Sequence, residues 1–259
     1  LGRPLICIGA GTMAQAVVLR SIERGALVSS RVEIVARTTN HLGPFQDLGC
    51  RVGTDVFDAL NRAAGQAIVL LACKPQAVAE VAQQARGAVG ARLLISMLAG
   101  VRTDQMRLIF GAPCRVIRAM PNTPARIGQG LTGLVAGEGI TPEEARLITP
   151  IFECAGSVEW LADESLMPAF TLLAGSGPAY LFYLAVALER AAAEAEFDTE
   201  QAHRIVQGML FGAASLLSSE EASPCDLRRR VTSKGGVTAA ATEALDEAGQ
   251  SRYVGLRVT

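Results

Sequence analysis

A doubly wound α/β domain followed by an all-α domain is predicted by three features of the chain. Apolar strand-like runs alternate with helix-forming segments from Pro4 to about Ala119. The first run leads straight into a glycine-rich turn, Gly9-Ala10-Gly11-Thr12-Met13-Ala14, and beyond Asp163 only helical signals remain. Short, continuously apolar strands joined by helices are buried on both faces, which is the signature of a parallel sheet covered by helices. Right-handed crossovers then wind the sheet in both directions from its middle.

The first strand is predicted over Leu5–Gly9. The pattern that follows it is G-x-G-x-x-A, the fingerprint of a Rossmann-type dinucleotide-binding unit. Gly9 would permit the tight turn, Gly11 would let the backbone approach a pyrophosphate, and the small Ala14 would let helix and strand pack closely. Thr12 and Met13 lie in the first turn of the helix, whose free N–H groups and dipole favour phosphate. Further strands are expected at Val32–Ala36, Ala67–Ala72, Leu93–Met97 and Arg115–Ala119. Ligands in such a sheet lie beyond the C-terminal ends of its strands, so the loops there carry the information.

After Val32–Ala36, roughly 20 residues beyond the glycine turn, an acid would bind the ribose hydroxyls of NAD. The chain has Arg37-Thr38-Thr39 instead. A guanidinium flanked by hydroxyls fits a 2′-phosphate, so NADPH is the expected cofactor and NADH the lesser one. The next rim loops are Ala72-Cys73-Lys74-Pro75-Gln76, where Pro75 stiffens the turn, and Ser96–Gly100, where Ala99 and Gly100 leave room for a flat ring. Met120-Pro121-Asn122-Thr123-Pro124 completes the rim. Each could be a plain strand-ending turn, but their convergence on one rim favours a ligand site.

Gly130–Val135 and Ser157–Leu161 are predicted as two more strands flanking a helix. Thr141, Pro142 and Glu144 at its start form a capping box. This closes a first domain, residues 1–161, and leaves residues 162–259 for a helical domain. There Pro178–Phe197 is apolar on nearly every side, so it should be buried within a bundle or between subunits. About a hundred residues can scarcely hide such a helix alone, so a homodimer, or a larger homo-oligomer built from dimers, is expected. Asp198 restarts a helix whose Ile205, Met209, Ala213 and Leu216 are expected to be core positions, and Pro224 opens a further short helix.

At 259 residues, half of them hydrophobic, the chain can bury a substantial core. Its net charge of −1, without blocks of like charge, argues against nucleic acid or an anionic membrane surface as the principal partner and leaves a small-molecule substrate. Apolar stretches are expected to be broken by Gly, Pro or charge before membrane-spanning length, and no basic-then-apolar leader is expected ahead of Leu5. The six cysteines form no C-x-x-C pair and are expected to be buried free thiols in a reducing compartment, the cytoplasm, with no metal site. A start at Leu1 suggests that a few residues are missing or trimmed.

Val231–Thr238 is dense in hydroxyls and glycines between two helices. Free N–H groups of Gly236, Val237 and Thr238 could hold a carboxylate, and a capped helix–loop–helix turn would use the same residues. With this loop in view, the chain resembles the pyrroline-5-carboxylate reductases. The resemblance rests on Ile8–Ala14, Ala72–Gln76, Met120–Pro124, Gly175-Ser176-Gly177-Pro178-Ala179-Tyr180 and Val231–Thr238, in this order, and covers nearly the whole chain.

The resemblance implies a Rossmann domain, a helical dimerisation domain that interlocks with a second copy, and reduction of a cyclic imine by NAD(P)H in the last step of proline biosynthesis. It also implies an active site shared between subunits. Together with the reading of the rim loops above, it leads to Gly9, Gly11, Thr12, Met13, Arg37, Thr38, Ala72, Lys74, Pro75, Ala99, Gly100 and Asn122 as the expected cofactor residues. Ser233, Gly235, Gly236, Val237 and Thr238 go to the substrate, with Thr238 facing the imine. Lys234 and Val237 depart from the family's usual S-P-G-G-T-T loop, Thr12 stands where Asn is usual, and Thr242 replaces a branched apolar residue. A related reductase of a different ring and a non-catalytic NADPH-binding homologue are the alternatives.

Overall fold

The computed structural model describes residues 2–63, 65–85, 87–111 and 113–247. The expectations about the termini therefore lie outside the described residues. Two compact units are present, Leu1–Pro178 and Ala179–Thr259.

The first unit is built on one eight-stranded sheet: β1 (Leu5–Ile8), β2 (Val32–Val35), β3 (Arg51–Gly53), β4 (Ile68–Leu71), β5 (Leu93–Ser96), β6 (Arg115–Met120), β7 (Gly130–Ala136) and β8 (Gly156–Trp160). Their spatial order is β3-β2-β1-β4-β5-β6-β7-β8. Strands β1 to β6 run parallel, β7 pairs antiparallel with β6, and β8 runs parallel to β7. The apolar runs sit where expected, and β1, β2, β4 and β5 are buried at every residue. Strand β3 has no such run. Arg51-Val52-Gly53 pairs on one side only, with β2, so edge position and neighbour decide its conformation, not its own composition.

Alternate residues of β1 serve opposite faces. Leu5 and Cys7 join a core with Val17, Phe45, Leu70 and Phe152, whereas Ile6 and Ile8 join one with Leu60, Val69, Leu94 and Val116. This is the two-residue period of a strand with helices on both sides. Each large side chain so buried contributes about 1.5–3 kcal/mol. The helix Pro142–Glu153 opens with the expected reciprocal cap: Glu144 N–H donates to Thr141 Oγ1 and Thr141 N–H to Glu144 Oε2, each at 3.2 Å.

The first unit reaches beyond the expected break after residue 161 because the following segment packs on the sheet. Arg118 of β6 bonds Glu164 at 2.6 Å with both side chains nearly buried, and Phe170 lies so close to Gly133 of β7 that a Cβ there would meet its ring at 2.6 Å.

Residues 164–194 form one helix that continues through Gly175, Gly177 and Pro178, against the expectation that Gly, Pro or charge breaks the apolar stretches before membrane-spanning length. By length and composition it could cross a membrane. No residue of its portion Gly177–Glu194 is buried in the single chain; Phe182 is 65% and Tyr183 79% exposed. The helix Thr199–Ser219 begins with a capping box between Asp198 and Gln201. Its buried residues are Ala202 and Val206. The expectation that Ile205, Met209, Ala213 and Leu216 form a core therefore fails for the single chain, where they line an exposed face. Too few helices surround that face to cover it. Pro224–Arg230, capped by Ser223, and Val237–Glu247 complete the unit.

All six cysteines are free, but only Cys7, Cys50 and Cys114 are buried; Cys73 and Cys154 are half-buried and Cys225 is exposed. The three that depart from the expectation lie in a rim loop, at a helix end and in a short surface helix, where apolar neighbours in sequence do not enclose them.

Candidate active site

The residues just beyond the parallel strands are stitched into one row. Ala36 N–H donates to Gly53 O at 3.1 Å, Gly9 N–H to Val35 O at 2.7 Å, Ala72 N–H to Ile8 O at 2.9 Å and Met97 N–H to Leu71 O at 2.9 Å. The chain order reverses between β1 and β4, so the glycine turn stands at the switch point of the sheet, where such folds open a crevice.

Two glycines of that turn do different work. Gly9 has φ +118°, and a Cβ on it would fall 2.5 Å from the Ala72 carbonyl and 2.7 Å from Cys73 N. It is required by chain packing. The Cys7 thiol, whose pKa is pushed up first by burial and then by its neighbours Cys73 and Cys50, stays protonated and donates to Gly9 O at 3.3 Å. Gly11 has ordinary extended angles and caps the helix that starts at Thr12, and a Cβ on it would meet nothing within 4 Å. Its bare face is open to a ligand over the N–H groups of the first helical turn. Thr12 is exposed, Met13 half-buried against the core, and Ala14 wholly buried.

The neighbouring loops present polar groups along the same rim. Arg37 and Thr38 are exposed, and Arg37 has no ion pair among the described residues. Lys74 is exposed in extended conformation, and Pro75 opens a single turn, Pro75–Ala77, leading into the helix Val78–Ala85. Ala99 and Gly100 are exposed, and Gly100 at φ +75° again has open space at the Cβ position. A free guanidinium, two bare glycines and a helix N-terminus in this order fit a phosphorylated dinucleotide. A cavity of about 600 Å³ between Arg24 and Glu153 contains none of the rim residues, whereas one of about 460 Å³ is lined by Gly100 together with Val101, Gln105, Leu108 and Ile109. Among the described residues no cluster of His, Cys, Asp or Glu could hold a metal ion.

Asn122, expected to face the cofactor, uses both ends of its amide inside the protein. Nδ2 donates to Ala174 O at 2.9 Å, and Oδ1 accepts from Leu131 N–H at 2.9 Å. Sequence reasoning missed this bracing, because the bond to Ala174 joins segments 52 residues apart in the chain.

In the helical unit, the loop before Val237–Glu247 is a tight turn. Gly235 has φ +70°, and a Cβ on Gly236 would meet Ser233 Oγ at 2.5 Å. Gly236 N–H already donates to Ser233 O at 3.0 Å. It is therefore not one of the three free donors expected; closure of the turn uses it. The N–H groups of Val237 and Thr238 have no backbone partner among the described residues. Ser233, Lys234 and Val237 are exposed, Thr238 is half-buried, and the Thr242 hydroxyl bonds back to Thr238 O at 2.9 Å.

Comparisons with known proteins join the two units. Residues 164–256 match the family model for pyrroline-5-carboxylate reductase dimerisation, and residues 5–100 that for NADP oxidoreductase, coenzyme F420-dependent. The pyrroline-5-carboxylate reductase of Haemophilus influenzae is 33% identical over 92% of this chain and 88% of its own length. The structure of a pyrroline-5-carboxylate reductase from Coxiella burnetii is 31% identical, covers 98% of this chain and 93% of that one, and has a TM-score of 0.87. That of Plasmodium falciparum pyrroline carboxylate reductase with NADP bound, 20% identical over 98% of this chain and 93% of that one, has the same fold at a TM-score of 0.84. The glycine turn at the switch point, the helical second unit and these matches along nearly the whole chain lead to one conclusion: the chain belongs to the pyrroline-5-carboxylate reductase family.

Proposed function

We infer that this chain reduces the cyclic imine 1-pyrroline-5-carboxylate to L-proline with NADPH. The observation that carries the reading is the 33% identity across 92% of the chain, spanning both the nucleotide-binding and the dimerisation unit. NADPH, when bound, would supply a hydride to the imine carbon. As the C=N double bond is lost, its π pair becomes the lone pair of the amine. An already protonated iminium needs no side-chain acid, and neither His41 nor His203 lies in a motif loop.

The protein's task is then to bind, orient and exclude water. Gly11 and the first turn after it receive the pyrophosphate, Arg37 and Thr38 the 2′-phosphate, and Lys74, Pro75, Ala99 and Gly100 line the path toward the nicotinamide. In the helical unit, the Val237 and Thr238 N–H groups hold the substrate carboxylate, and the Thr238 hydroxyl is the hydrogen-bond partner of the imine nitrogen. The exposed apolar helices support a homodimer in which this loop serves the partner's cofactor. Six free cysteines support work in a reducing compartment, the cytoplasm.

The test is steady-state oxidation of NADPH with pyrroline-5-carboxylate set against six-membered piperideine carboxylates. Preference for the five-membered ring is expected. Preference for the six-membered ring would make the chain a reductase of another imine, and no turnover with any imine would make it a binding protein.

A further inference from the structure

Ala174 lies in the turn Thr171–Gly175, where the long helix widens and Ser176 N–H reaches back five residues to Thr171 O at 2.9 Å. In regular helix the Ala174 carbonyl would accept from the residue four positions on. That residue is Pro178, which has no N–H. The chain thus creates an orphan carbonyl at the base of its helical arm, and Asn122 Nδ2 satisfies it at 2.9 Å. The other end of the same amide holds Leu131 N–H at the start of β7.

Asn122 is 9% exposed and stands two residues beyond β6, on the rim that carries the cofactor loops. The turn it holds is pressed against that rim: a Cβ on Gly175 would lie 3.3 Å from the Met120 methyl. One side chain therefore joins the end of β6, the start of β7 and the point where the chain leaves the first unit.

We propose that Asn122 is a positioning residue for the reductase reaction, acting through the Ala174 carbonyl to fix the Gly175–Pro178 turn against the rim beyond β6. The proposal rests on the reductase reading above. Hydride transfer is sensitive to displacements of about 1 Å, which cost on the order of a hundredfold in rate. Releasing the turn should therefore lower kcat while sparing cofactor affinity. Asn122→Asp is the direct perturbation, because it keeps an acceptor for Leu131 N–H and sets a carboxylate oxygen against Ala174 O. Leaving that buried carbonyl unbonded should lower kcat about ten- to a hundredfold.

The orphan carbonyl also supplies a rescue that ordinary loss of stability would not show. Pro178→Ala restores an N–H in register with Ala174 O, so the helix itself can satisfy the carbonyl. In a cycle of Asn122→Asp, Pro178→Ala and the double variant, kcat at saturating NADPH and imine and the Kd for NADPH would be measured for each protein. Expected are a Kd for NADPH within about twofold throughout, a low kcat in Asn122→Asp, and recovery of about tenfold in the double variant. An unchanged kcat in Asn122→Asp, no recovery in the double variant, or a defect confined to NADPH affinity overturns the proposal. If Asn122→Asp does not fold, Asn122→Ser, which removes the bond without adding charge, is put through the same cycle. If the unmutated chain turns over no imine, the reductase reading fails. The clamp is then judged by amide exchange at Gly175 and Ser176: faster exchange in Asn122→Asp and reversal in the double variant support it, and unchanged exchange overturns it.

Discussion

Gly9 and Gly11 stand two residues apart in one motif, yet alanine at each should give opposite phenotypes. At Gly9 the added methyl would lie 2.5 Å from the Ala72 carbonyl, just beyond β4, at φ +118°. Backbone strain of this kind costs about 1–3 kcal/mol, and overpacking about as much again. The sum, roughly 2–6 kcal/mol, is a large part of the 5–15 kcal/mol that holds a typical domain folded. Gly9→Ala should therefore melt on the order of 5–20 °C lower than the unmutated protein, with or without cofactor.

At Gly11 the angles suit any residue and the methyl meets no protein atom. A less favourable helix cap and the stiffer unfolded chain nearly offset each other, so stability should change by less than about 1 kcal/mol. The methyl instead occupies the approach of the pyrophosphate and should weaken NADPH about ten- to a hundredfold. Thermal melts with and without NADPH, together with titration of cofactor fluorescence, separate the two effects. Gly11→Ala binding NADPH as tightly as the unmutated protein would refute the phosphate assignment, and an unshifted melt for Gly9→Ala would refute the packing argument.

Four further outcomes are expected. Thr238→Ala should lower kcat/KM for the imine roughly ten- to a hundredfold with the NADPH Kd nearly unchanged, and Thr238→Ser should keep most activity; full activity in Thr238→Ala would return the loop to a structural turn. Arg37→Asp should reduce NADPH efficiency about ten- to a hundredfold and erase or invert the preference over NADH, read from kcat/KM with both cofactors; equal use of the two by the unmutated protein would count against Arg37. Burial holds the Cys7 thiol protonated in the folded state, whereas the unfolded thiol ionises near its ordinary value of 9.0. Its contribution is therefore complete below pH 9 and declines as pH rises above it, so Cys7→Ala should flatten the alkaline fall in melting temperature; an equally steep fall in the variant would exclude the thiol as its source. Light scattering at micromolar concentration should find a dimer, and a stable, active monomer would defeat both the dimer and the shared site.

Most of the sheet was legible because its parallel strands are short apolar runs whose burial on two faces leaves a trace in composition. The cap at Thr141 was equally legible, since its donor and acceptor lie three residues apart. In the site, the glycine turn and Arg37 announced themselves by residue type and distance from a strand. Strand β3 did not, because Arg51-Val52-Gly53 becomes a strand only against β2. Nor could sequence alone separate the work of Gly9 from that of Gly11, which depends on Ala72 lying beside one and open space beside the other.

The apolar periodicity of Thr199–Ser219 was read as a core, and its exposure in the single chain shows that periodicity reports which face is to be covered without saying by what. Similarly, the hydroxyls and glycines of the second loop were visible, but only the closed turn revealed that Gly236 N–H was already engaged. Asn122 lies between these cases: Pro178 declares in the sequence that Ala174 will lack a helical partner, yet the donor that answers it comes from 52 residues away. Local chemistry wrote the strands, caps and phosphate turn into the sequence. Which groups meet across the fold was decided by tertiary packing, because a hydrogen bond or a close approach between distant segments has no period and no spacing along the chain.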